Sequence, residues 1–173
     1  MSVHVLGSAI VRTSQGVGDW TVWAVEHSGG IARVEARDGM TEIVVGDVPR
    51  SADDDCPGYT AVACTVDGGA LVLCRDAPPA LVVGQRDCRT SPAEPGGREL
   101  LSLGASERLL VLSSAVLEAR PEVLAEALHS PETSLIHRDP VELLASLFRE
   151  VTHGAGAILG RTRPTSHPEG GAR

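Results

Sequence analysis

The side chains most able to do chemistry in this sequence are carboxylates, and one run stands out: Asp53-Asp54-Asp55. Hard divalent cations take oxygen ligands, so three adjacent acids could hold one. Acid runs in loops are more often simply solvated, and Pro57-Gly58 directly after the run marks a loop. The six histidines, at positions 4, 27, 129, 137, 153 and 167, show no paired spacing on a helix or strand, so a zinc site is not expected. Cys56, Cys64, Cys74 and Cys88 are spaced too widely for a zinc finger. Cys64 and Cys74 fall in neighbouring predicted strands, and a three-residue loop between them would set the two opposite each other. Met1-Ser2-Val3-His4 has no signal-peptide character, so reduced thiols packed as small core residues are expected instead of a disulfide. Ser113-Ser114 lacks a Gly-x-Ser-x-Gly context and reads as a helix cap, not as a nucleophile.

Composition removes whole classes of function. All 15 basic residues are Arg, so no Schiff-base lysine or phosphate-loop lysine exists. With a net charge of −8 and no basic run, the chain is a poor match to a nucleic-acid backbone, and no nucleic-acid partner is expected. No apolar stretch reaches the roughly 18 residues that span a bilayer, so no membrane partner and a cytoplasmic location are expected. Aromatics make up 2% of the chain against 42% hydrophobic residues, so any core must be built from Val, Leu, Ile and Ala.

The elements that must position these residues are mostly strands. Residues 3–12, 20–25, 31–36, 42–45, 59–66, 70–74, 80–83, 100–103 and 109–112 read as strands, and Asp67-Gly68-Gly69 as a hairpin turn. Residues 51–58 and 86–98 read as irregular. A short helix is predicted over 121–128. The strongest helix spans 139–151, with Asp139 as N-cap, Pro140 in the first turn and Glu142 completing a capping box. A last strand covers 155–159. Residues 1–161 form one expected domain, and 162–173, rich in Pro and Gly, an expected disordered tail. Strands followed by helices imply an α+β layered domain.

Five segments, in order, resemble those of the SpoIIE-like, PPM-type metal-dependent protein phosphatases. Gly16-Val17-Gly18-Asp19-Trp20 is similar to the V-G-G-D-W-Y-D opening, and residues 43–48, Ile-Val-Val-Gly-Asp-Val, to L-V-V-G-D-V-S-G. Residues 76–83 resemble the G-H-P-P-P-L-L-V hairpin, and residues 108–119 align without gaps with R-L-L-L-Y-T-D-G-L-T-E-A. Residues 147–151 and 155–161 resemble the last helix and strand. The resemblance implies an antiparallel β-sandwich flanked by helices. It also implies two Mg²⁺ or Mn²⁺ ions in a carboxylate cluster that hydrolyse phosphoserine or phosphothreonine, often on anti-sigma-factor antagonists.

The departures change what the resemblance implies. Asp47 matches the metal-bridging Asp and Asp19 the first acidic ligand, which would leave a weak, vestigial single-metal site. Ser114 stands where the T-D-G motif carries Asp, and the acidic pair before the last strand falls at His153-Gly154. A hydroxyl and a glycine cannot replace the lost charge, so no cofactor is expected, with Mg or Mn the only candidates. Gly46-Asp47 also reads simply as a turn that ends a strand. Too few residues separate Val48 from Tyr59 for the family's two long helices, so an outer sheet face is left open to a partner protein or a second copy, unless polar alternation makes it tolerable in water. The first expectation is therefore a non-catalytic phosphatase-fold regulator acting by protein contact, of the anti-sigma or antagonist type. The alternatives are a working phosphatase with a reduced site, in which the Asp53–Asp55 run fills in, and an unrelated β-rich interaction domain.

Overall fold

The computed structural model describes residues 1–48, 57–130 and 138–162. The Asp53–Asp55 run and residues 163–173 of the expected tail lie outside the described residues. Thr162, the first residue of that tail, donates its backbone N–H to the Asp19 carbonyl at 2.8 Å.

Among the described residues, twelve strands form two antiparallel sheets. The first holds β1 (Ser2–Leu6), β2 (Ala9–Gln15), β3 (Trp20–Glu26), β12 (Ala155–Arg161), β11 (Arg108–Leu112), β8 (Ala80–Val83) and β9 (Cys88–Ser91), in that spatial order. The second runs β10 (Arg98–Ser102), β7 (Gly69–Arg75), β6 (Tyr59–Thr65), β5 (Met40–Asp47) and β4 (Gly30–Arg37). Three short helices, α1 (Ser114–Ala119), α2 (Glu122–His129) and α3 (Pro140–Leu147), complete the described elements. The observed class is the expected one, an antiparallel β-sandwich with reduced flanking helices. No helix among the described residues is long and apolar enough to cross a membrane.

Hydrophobic alternation explains which face each strand buries. On β6 and β7, Val62, Cys64, Ala70 and Val72 point between the sheets, while their neighbours face out. Strands β11 and β12 are buried on both faces, which explains their unbroken apolar runs. Leu109 and Val111 enter the core between the sheets, whereas Leu110 and Leu112 enter a second core beneath α3 with Leu144 and Phe148. Burying each such aliphatic side chain contributes about 1.5–3 kcal/mol.

Local chemistry corrects several expected boundaries. The predicted strand over 3–12 is two strands, because Leu6 pairs with Ala9 and Gly7 takes φ +65 in the intervening turn. Asp38 and Gly39 both have positive φ, as a tight hairpin between β4 and β5 requires. β9 lies inside a stretch expected to be irregular; its polar Cys-Arg-Thr-Ser sequence carries no alternation to read. α3 stops at Leu147, four residues earlier than predicted, and Phe148 leaves the helix to bury its ring against Gly156. Asp139 does cap α3, accepting from the Val141 and Glu142 N–H groups. Cys64 and Cys74 do not face each other. The register sets Cys64 opposite Ala70 and Cys74 opposite Thr60, and both thiols are free and buried. Burial pushes the Cys64 thiol up to about 12, so it stays protonated.

Candidate functional site

The residues that could form a site converge at one end of the sandwich. The turn from β3 to β4, the end of β5, the start of α1 and the approach to β12 meet there. Gly30 pairs with Asp47 across the β4–β5 hairpin, and the Val48 N–H donates to the Gly29 carbonyl at 2.7 Å. The Gly154 N–H donates to the Ser28 carbonyl at 3.2 Å, and the His27 N–H to the Gly154 carbonyl at 2.9 Å. Ser113, buried at the end of β11, accepts from the Ala155 N–H through Oγ at 3.0 Å. The fold thus brings together Asp47, Ser114 and Gly154, three of the four positions singled out in the sequence.

Asp47 is the carboxylate of this cluster. Its Oδ2 accepts the backbone N–H of Ala115 at 3.1 Å, in the first turn of α1. Ser113 occupies the N-cap position but makes no side-chain cap bond there, so Asp47 satisfies a helix donor from a distant strand. Its other oxygen, Oδ1, is buried with no partner in the described structure. Ser114 begins α1 and is half-buried.

Gly154 departs furthest from a ligand position. Its φ is +106, and a Cβ there would fall 2.6 Å from Ser113 Oγ and 2.8 Å from Val116 Cγ2. A Cβ on Gly30 would fall 2.1 Å from the Gly154 carbonyl carbon. Two main chains are packed directly against each other here, with no room for a side chain on either. His153, beside Gly154, is exposed, and its Nδ1 lies 2.9 Å from Thr152 Oγ1.

Asp19 is elsewhere. It precedes β3, whereas Asp47 lies beyond the other end of that strand, and seven residues of strand separate the ends by about 20 Å or more. Asp19 holds Arg161 through both carboxylate oxygens, at 2.9 and 3.1 Å from Nε. That guanidinium also donates to the Leu103 carbonyl at 3.4 Å. Gly16-Val17-Gly18-Asp19-Trp20 is therefore a corner that ties the last strand down. Across the β4–β5 hairpin Asp47 pairs with Gly30, and Gly46 with Ile31.

The Asp19–Arg161 pair has a pH signature. The hydrogen bond from Arg161 holds the Asp19 carboxyl below its ordinary value of 3.8. A depressed carboxyl stabilises the fold above its unfolded pKa, and that stabilisation is lost as pH falls through the folded one. Asp19→Asn is therefore expected to lower the urea midpoint at pH 7, with the difference from wild type shrinking as pH falls below 3.8. Equal midpoints at pH 7 would show that the pair contributes nothing.

The donor set does not fit a pair of divalent cations. Two such ions close together need several anionic oxygens, and Asp47 supplies the carboxylate that this end of the described structure offers. Among the described residues, no group of three His, Cys, Asp or Glu side chains is gathered as a metal centre would need.

No protein-family model matches the chain, and no curated protein does. Solved structures do. The RsbU and RsbW domains of Rv1364c from Mycobacterium tuberculosis align over 88% of this chain at 15% identity, with a TM-score of 0.63. This chain spans 63% of the length of that two-domain chain. The phosphatase domain of the cell-fate determinant SpoIIE from Bacillus subtilis aligns over 94% of this chain and 98% of its own, at 11% identity and a TM-score of 0.55. A longer SpoIIE structure, with the PP2C phosphatase domain and a fragment of the regulatory domain, aligns over 91% and 72% at a TM-score of 0.53. What this chain shares with these proteins is the fold, a PPM-type phosphatase sandwich with its flanking helices reduced.

Proposed function

We propose that this chain is a non-catalytic phosphatase-fold protein that works by protein contact, in signalling of the anti-sigma or antagonist type. One observation carries the reading. Where an acidic pair would project into a two-metal pocket, the backbones of Gly30 and Gly154 are in contact, and the remaining carboxylate, Asp47, caps α1. A pocket of this kind gives a bridging hydroxide no pair of cations to form on. The signalling context is supported by the likeness to the structure of the RsbU and RsbW domains of the mycobacterial protein. On this reading residues 1–161 are the working unit, and no cofactor takes part.

A second reading rests on the buried, partnerless Oδ1 of Asp47. One Mg²⁺ or Mn²⁺ bound there, completed by carboxylates from the Asp53–Asp55 run, would make a reduced but working phosphatase.

The two readings separate in one experiment. The full chain is titrated calorimetrically with Mn²⁺ and assayed on a phosphoserine peptide. A flat titration and no turnover are expected. Turnover that needs Mn²⁺ and disappears in Asp47→Ala would overturn the first reading. Loss of the cap bond alone is expected to cost about 1 kcal/mol of stability in that variant.

A further inference from the structure

The outer face of the five-stranded sheet is a ruled grid, because antiparallel register places every second residue of each strand in a row. One row, from β10 to β4, reads Leu100, Leu71, Ala63, Glu42, Glu35. The adjacent row reads Arg98, Leu73, Ala61, Val44, Arg33. The alternate residues on the same strands, such as Val62, Cys64 and Val72, fill the core, so these rows face away from it. Leu100 is 75% exposed and Leu71 is 42% exposed. Within the described residues no helix lies over this face.

The two rows are complementary to each other. A two-fold axis parallel to the sheet and about 5 Å above its outer face, perpendicular to the strands and midway between the rows, brings each row onto the other row of a second copy. Leu71 then meets Leu73 of the second copy, and Ala63 meets Ala61. Glu35, paired with Arg37 of its own chain at 2.7 Å, meets Arg33, Glu42 meets Val44, and Leu100 lies along the aliphatic stem of Arg98. Small residues at the centre, flanked by leucines, allow close approach of the two sheets, which pack about 10 Å apart when aligned. The charged residues fall towards the rim, where they select a partner more than they bind it. With strands about 4.8 Å apart and rows about 6.8 Å apart, the two copies together bury on the order of 1,000 Å². That is the lower end for a specific contact and fits a dimer of micromolar affinity.

We infer that this chain forms an isologous dimer through the outer face of its five-stranded sheet, with Leu71 and Leu73 at the centre and Glu35–Arg33 pairs across the axis. A closed two-fold contact of this kind yields a dimer and stops there. The inference stands on the register of the sheet and is independent of whether Asp47 binds a metal.

The test is sedimentation equilibrium of the full chain from about 1 to 100 μM, a span that covers micromolar affinity. A monomer–dimer equilibrium is expected. Leu71→Glu and Leu100→Lys should each weaken it by about tenfold or more, with the far-ultraviolet spectrum of the fold unchanged. Glu35→Arg and Arg33→Glu should each weaken it, and the double swap should restore it. Val5→Glu, on the exposed β1 of the other sheet, serves as control and should leave it intact. A chain that is monomeric throughout, that forms higher oligomers, or whose dimer is indifferent to Leu71→Glu overturns the inference. Loss of the dimer inference leaves the non-catalytic reading standing, and metal-dependent turnover would overturn that reading while leaving the dimer.

Discussion

Gly30→Ala lowers the stability of this domain by about 3 kcal/mol or more, a shift in Tm of roughly 6–12 °C for a chain of this size. The reason is steric and local. The added methyl would lie 2.1 Å from the Gly154 carbonyl carbon, 2.2 Å from its oxygen and 2.6 Å from the Ala155 nitrogen. All three are main-chain atoms of the segment that enters β12, a strand at the centre of the seven-stranded sheet. No rotamer change can relieve the clash. Either the β3–β4 turn swings away from Gly154, breaking the Gly154-to-Ser28 and His27-to-Gly154 bonds, or β12 shifts in its register. Gly7→Ala is the control. It sits in an open turn with φ +65 and nothing near its Cβ, so it should cost only the roughly 1–2 kcal/mol of a left-handed alanine. Thermal melts of the three proteins decide the matter. A Gly30→Ala melt within about 2 °C of wild type would mean that the two backbones are not in contact. The same contact bears on function, because Asp introduced at position 154 meets Ser113 and Val116 before its carboxylate reaches Asp47. Restoring acidic residues at 114 and 154 is therefore expected to cost stability without creating a metal centre.

Much of this fold was legible because its strands obey period two and its turns carry Gly or Asp where positive φ is needed. Asp38-Gly39 and the end of β6 were readable for that reason. Less readable were strands whose stabilisation comes wholly from their neighbours. β9 is four residues of mixed polarity held by pairing with β8, so it has no hydrophobic signature of its own. The site was half legible. Asp47, Ser114 and Gly154 were grouped through the resemblance to the phosphatase motifs, and each sits at the end of a strong apolar strand whose neighbours bring the three to one end of the sandwich. That Asp19 lies at the opposite end of β3 from Asp47 was not legible, because the sequence does not show how the ends of the strands are arranged. Nor could sequence show that Gly30 and Gly154 touch, since they lie more than a hundred residues apart and neither has a side chain to mark the contact.

Trp20 puts this distinction to a measurement with a large expected effect. It follows Asp19 in the segment that resembles a catalytic opening, yet it lies on the inner face of β3, fully buried, at the end of the sandwich away from Asp47. Its Nε1 donates to the Thr65 carbonyl at 2.8 Å, tying β3 of one sheet to the end of β6 in the other. Trp20→Ala should therefore cost about 3–5 kcal/mol through lost burial and the cavity left behind. Trp20→Phe keeps most of the ring and loses one hydrogen bond, which should cost about 1 kcal/mol, because the Thr65 carbonyl keeps the Gly68 N–H at 3.1 Å. Urea midpoints of the two variants, with Trp23 as the remaining fluorophore, give both numbers. A binding residue at a site would follow a different pattern, with stability nearly unchanged and ligand response lost. If Trp20→Ala proves as stable as wild type, the corner at Asp19 and Trp20 is not holding the sheets together. The opening motif would then have to be reconsidered as part of a site at this end of the molecule.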